Sequence, residues 1–89
     1  MGELAKLPNI GKTLEQQLLD AGIDSPDELR RIGSREAWLR IQKFDPSACL
    51  HRLSALEGAV QGVRKTELDE GTKEELKQFY REHKTEESR

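Results

Sequence analysis

The sequence predicts an all-α domain of about five short helices, and three observations carry that prediction. The first is the run at residues 47–63, which holds only two charges, Arg52 and Glu57, in a chain that is 36% charged. At 100° per residue, Cys49, Leu53, Leu56, Val60 and Val63 fall on one line of a helix. The second is a recurring set of helix start and stop signals, such as Ser25-Pro26-Asp27-Glu28 and Asp69, with Gly22 and Gly33 as stops. The third is that apolar and polar residues nowhere alternate with the two-residue period of a half-buried strand.

The elements follow in order. Residues 1–11 hold Leu4, Leu7 and Ile10 around a Pro8-Asn9 turn signal. A helix over 12–21 carries Leu14, Leu18 and Ala21 on one face and stops at Gly22. Ser25 to Glu28 form a capping box with proline in the first turn, which starts a short helix with Leu29 and Ile32. Ser34 is the expected cap of the next helix, 35–44, whose inner side is Ala37, Trp38, Ile41 and Phe44. Asp45 and Pro46 then read as cap and first turn of a central helix, 46–63. Its second side is Ala48, Ala55, Ala59 and Gly62, so this helix is expected to be covered from two directions. Asp69 caps a last helix over 70–83 that buries Leu76, Phe79 and Tyr80. Nothing after Tyr80 is apolar, and 85–89 reads as a disordered charged tail beyond a single domain at 1–84.

Composition narrows the function. Eighty-nine residues make one small domain, and 34% hydrophobic residues give it a small core. The net charge of −2 does not attract nucleic acid overall. One cysteine excludes an internal disulfide and fits a reducing compartment. No apolar run reaches a membrane span, and no secretory hydrophobic region stands at the start, so the expected location is cytoplasmic, without a membrane partner. Cys49 and His51 diverge by about 200° on a helix and cannot share a metal. No nucleophile-base arrangement assembles, so neither an enzyme nor a cofactor is expected.

One local arrangement carries chemistry. Leu7-Pro8-Asn9-Ile10-Gly11-Lys12 leads into a helix, followed by Ala21-Gly22-Ile23 and the capped helix with Leu29. This resembles the helix-hairpin-helix motif, a SAM-like arrangement here packed on the central helix. The motif's turn often reads Leu-Pro-Gly-Ile-Gly and directs backbone N–H groups at a DNA phosphate. Free N–H groups at a helix N-terminus and the macrodipole make such an anion site. Asn9 stands where the motif has its first glycine; it tolerates left-handed φ, and its side chain is expected to project toward the phosphate backbone.

The second half sharpens the resemblance. Glu28-Leu29, Ile32-Gly33-Ser34 and Glu36-Ala37 are followed by Ala55-Leu56-Glu57-Gly58-Ala59. The ordered set, from about residue 7 to about residue 79, resembles the C-terminal domain of the TfoX (Sxy) competence regulators. Many members also carry an N-terminal domain, which these 89 residues do not include. The resemblance implies a regulatory interaction module and a transcriptional co-regulator, linked to control of DNA uptake. It also implies a protein partner, such as a regulator or the transcription machinery.

Three readings therefore stand side by side. One is a protein-association module, with Leu39 as an exposed contact anchor among charges and Glu57 as a contact residue or a carboxylate paired with Arg52, Arg64 or a backbone N–H. The second is a DNA-binding module that contacts phosphates through Asn9, Ile10, Gly11 and Lys12. A basic strip with Arg35, Arg40 and Lys43 would support it. That strip is part of residues 30–43, which hold five cations against Glu36 alone. The third is a structural or homodimerisation domain.

Overall fold

The computed structural model describes residues 3–84. A 3-10 turn at Leu4–Lys6 precedes α1 (Lys12–Asp20), α2 (Pro26–Phe44) and α3 (Leu50–Gln61); a second 3-10 turn at Lys65–Glu67 leads into α4 (Glu70–His83). The described residues are all-helical, with four α-helices rather than five. The two helices expected at 26–32 and 35–44 form one element, α2, broken at Gly33, where φ is 87° and ψ 164°. Glycine takes that conformation at little steric cost, so the break falls where the stop signal stands and the helix resumes at once. A three-residue 3-10 turn stands where a helix-hairpin-helix motif needs its leading helix.

Local signals place most boundaries. Ser25 Oγ accepts the Glu28 N–H at 3.1 Å and starts α2 as expected. Only half of the capping box forms, because the Glu28 carboxylate turns to Arg31 instead. At the end of α1, the Ile23 N–H reaches Leu18 O at 2.8 Å and Gly22 N–H reaches Leu19 O at 3.0 Å. This is a Schellman closure, with Gly22 at φ 86° and both Leu18 and Ile23 buried. α3 ends the same way, at Gly62 with φ 79°, so it stops at Gln61 and not at Val63.

The start of α3 departs most from expectation. Asp45 does not cap a helix beginning at Pro46. Its carboxylate accepts the Ser47 N–H at 3.1 Å and the Ser47 hydroxyl at 2.5 Å, and Ala48 N–H donates to Asp45 O at 3.0 Å. An aspartate that bonds its own backbone two residues on makes a turn, and helix geometry begins only at Leu50, with Cys49 as the N-cap. Ser34, expected as a cap, is buried and donates its hydroxyl to Glu57 Oε1 at 2.6 Å.

α3 is the central element in the packing sense. Leu53, Leu56 and Ala59 are fully enclosed, Ala55 and Gly58 are buried, and α2, α4 and the second 3-10 turn all touch it. The small-residue side thus admits close neighbours, as its composition implied. Cys49, Val60 and Val63, at the ends of the large-residue line, are only partly buried. Trp38 of α2 is fully enclosed, and Phe79 and Tyr80 of α4 approach it edge-on at 6.0 and 5.7 Å between ring centroids. Leu76 completes the α4 contact; Phe79 and Tyr80 are half-buried. The tail expected at 85–89 lies outside the described residues.

Candidate interaction surface

The hairpin turn is the first place to look, and its key side chain points inward. Asn9 has φ 70°, the only positive value on a non-glycine residue among the described residues. Its Nδ2 donates to Val63 O at 3.0 Å and Ala55 O at 3.4 Å, and its Oδ1 accepts the Lys65 N–H at 3.0 Å. One amide thus joins this turn to the middle of α3 and to the loop beyond it. Gly58 makes the approach possible, since a Cβ there would stand 2.7 Å from Val63 O and closer still to the Asn9 amide. The expected projection of Asn9 toward a phosphate is therefore corrected. The amide instead satisfies backbone groups of the loop that follows α3, the Val63 carbonyl and the Lys65 N–H.

The other predicted phosphate contacts are dispersed. Ile10 is buried in the core; Gly11 and Lys12 are exposed at the start of α1. Arg35 leans toward α4, 3.6 Å from Glu75 and 5.9 Å above the Phe79 ring. Arg40 pairs with Glu36 at 3.0 Å one helical turn away. Lys43 is exposed on the same stretch.

Arg40 and Lys43 line a cleft of about 470 Å³ with Leu39, Pro46 and His83. Leu39 is partly buried against the core and forms an edge of this cleft, not a free-standing anchor. The exposed hydrophobic residue of α2 is Phe44, 47% exposed and the one large apolar side chain so exposed among the described residues. Phe44 was expected on the inner side of α2. Phe44 is the last residue of α2, and the Asp45 turn follows it directly. His83 stacks on Phe79 at 4.0 Å between centroids and lies within hydrogen-bond distance of Phe79 O, which orders the far wall of the cleft.

Beneath that turn lies a polar junction of three helices. The Asp45 carboxylate also accepts from Gln17 Nε2 of α1 at 2.6 Å and from Arg52 of α3 at 2.7 Å. The Ser47 hydroxyl, then Arg52, then Gln17 hold its carboxyl well below the usual carboxylate range. Glu57, expected to pair with an arginine or a backbone N–H, instead accepts from the Ser34 hydroxyl and from Gln61 Nε2 at 2.6 Å. Its role is to join α3 to α2 just after the Gly33 break.

A second concavity, with a volume of about 320 Å³, collects Lys65, Lys73 and Lys77 with His51 and Leu50 between α3 and α4. Sequence reading missed it. Lys73 and Lys77 are spaced i, i+4 on α4, which is a legible sign, but only the fold brings Lys65 and His51 beside them.

Comparison with known proteins decides the family. The model of the TfoX C-terminal domain matches residues 1–80. The chain belongs to the TfoX C-terminal domain family. The curated Protein Sxy of Escherichia coli (strain K12) is a relative, 32% identical over 76 residues that cover 85% of this chain and 36% of that protein. The TfoX C-terminal chain described here thus spans about a third of that relative. Two crystal structures from Listeria monocytogenes have the same fold. The triclinic form of an uncharacterized protein is 53% identical, with a TM-score of 0.88 over 93% of this chain and 98% of that one. A protein of unknown function in a tetragonal form is 57% identical, with a TM-score of 0.87 over 89% of this chain and 96% of that one.

Proposed function

We propose that this TfoX C-terminal domain is a non-enzymatic regulatory module in the control of DNA-uptake competence, and that it works by associating with another protein, a regulator or the transcription machinery. The observation that carries the reading is Phe44. A small domain with little apolar material has left one aromatic ring half in water, between Lys43 and Pro46 in the chain, two residues that line a cleft with Leu39, Arg40 and His83. An apolar anchor with a charged rim is the anatomy of a protein interface. The DNA reading through the 8–12 turn has less support, because Asn9 and Ile10 are engaged in the fold and Lys12 with Gly11 offers one or two phosphate contacts. Specific duplex recognition needs several contacts to phosphates and bases.

The test is retention of partners from the native cell on wild-type chain and on Phe44→Ser, which removes an exposed ring and leaves the core alone. A protein held by the wild type and lost by the variant is the expected result. Fluorescence anisotropy with a labelled duplex should show binding no tighter than about 10⁻⁵ M at physiological salt. Sub-micromolar, steeply salt-dependent binding that Lys12→Glu abolishes would favour the hairpin as a DNA contact instead. A mass that doubles with concentration and reverts in Phe44→Ser would make the partner a second copy.

A further inference from the structure

We propose that the groove between α3, the Lys65–Glu67 turn and α4 is the docking site for a short acidic peptide segment of a protein partner. This deepens the protein-association reading and rests on it. Three ammonium groups, Lys65, Lys73 and Lys77, line the groove with His51, Thr66 and Leu50, and among the described residues no acidic side chain lines it. The chain as a whole carries a net charge of −2, so this grouping is a local departure from its average surface and not a by-product of a basic protein.

The lysines are available to a ligand. Lys73 lies 4.0 Å from Glu70 and Lys77 lies 3.6 Å from Glu74, and those glutamates are 89% and 67% exposed. Ion pairs that open to water contribute little, so the carboxylates of a partner can replace them. Lys65 is placed by the fold, because its N–H is held by Asn9 Oδ1 at 3.0 Å. The hairpin turn thereby positions one wall of the groove. Leu50 and the aliphatic stems of the lysines supply an apolar floor, which suits a segment that mixes acidic residues with a leucine or similar side chain.

Size and rim favour a peptide over a nucleic acid. A volume of about 320 Å³ takes a few side chains and not a duplex. Duplex DNA carries a charge about every 1.7 Å along its axis, and a duplex laid across the groove would meet Glu67, Glu70 and Glu74, all exposed on the two elements that form its walls. A short segment entering the groove need displace only the exposed Glu70 and Glu74 carboxylates from Lys73 and Lys77. Lysines also act as separate point charges, which fits several independent carboxylates.

The test uses the full chain and a fluorescein-labelled peptide of about ten residues, Glu and Asp with two Leu. Anisotropy should saturate, and Lys73→Glu/Lys77→Glu should weaken binding about ten-fold or more. The charge-matched pair Lys6→Glu/Arg30→Glu, both exposed and remote in sequence from the groove, should leave it within two-fold. Amide shifts on titration should concentrate at Leu50, Ser54, Lys65 and Thr66. Circular dichroism checks that both variants are folded, and Lys73→Gln/Lys77→Gln replaces the charge reversal where it disturbs the helix. Equal weakening by both pairs, absence of saturation, or a labelled duplex that binds more tightly with the same amide shifts would each overturn the groove as a peptide site. Partner retention that depends on Phe44 would survive any of these results, so the groove can fail while the association module stands. Loss of that retention reads the other way.

Discussion

Replacing Asn9 tests whether the hairpin turn serves the fold or waits for a ligand. Its side chain makes three hydrogen bonds, to Val63 O, Ala55 O and the Lys65 N–H, all partly buried. Asn9→Gly removes all three and keeps a residue at ease with φ 70°. A buried group left without its partner costs about 1–3 kcal/mol. The Val63 carbonyl and the Lys65 N–H are the two groups at risk, and water reaches a partly buried site in part, so a loss of about 2–3 kcal/mol is expected. Asn9→Ala loses the same bonds and also forces a Cβ into the left-handed region, which adds about 1 kcal/mol. The two variants should therefore differ from each other as well as from wild type. In urea titrations read by circular dichroism, each kcal/mol corresponds to about 4–8 °C of Tm in a parallel thermal melt for a domain of this size. Asn9→Gly within about 0.5 kcal/mol of wild type would refute the inward role. Equal losses for glycine and alanine would refute the backbone part of the argument.

Other outcomes follow from the same structure. Leu56→Ala, at a fully enclosed position on α3, should cost about 2–5 kcal/mol; a melt unchanged within a degree or two would remove α3 from the centre of the core. Ser25→Ala should cost about 0.5–2 kcal/mol through loss of the Glu28 N–H bond, and an unchanged urea midpoint would count against the cap. The Asp45 carboxyl is held below its ordinary range by Ser47, Arg52 and Gln17. A group depressed in the folded state stabilises at pH values above its unfolded pKa, about 3.9, and that contribution is lost as pH falls through the lower folded value. The stability gap between wild type and Asp45→Asn should hold its full size at neutral pH and close only below about pH 4; a gap that widens on acidification would contradict the assignment.

Much of the fold was legible because its causes are local. Ser25 caps, Gly22 and Gly33 take positive φ, and Leu53, Leu56 and Leu76 sit on the apolar sides of their helices. These effects act within one or two turns of chain, where spacing in sequence is spacing in space. The ordered residues through Ala55-Leu56-Glu57-Gly58-Ala59 pointed to the family for a related reason, since the close approach at Gly58 and the Glu57 link to Ser34 constrain which residues those positions accept. Two of the misreadings concern side chains with a choice of partner. Asp45 could cap a helix or close a turn, and it closes a turn because Gln17 and Arg52, 28 and 7 residues away, converge on its carboxylate. Asn9 could face solvent or the protein, and α3 with the loop after it, 46 to 56 residues later, supplies the acceptors and donor that turn it inward. Phe44 fits the inner face of α2 by periodicity, yet it is exposed at the last residue of that helix, because burial needs a neighbour and none covers it there. Periodicity reports which face of an element is apolar; only packing determines whether another element arrives to cover it, and that depends on contacts between residues far apart in the chain.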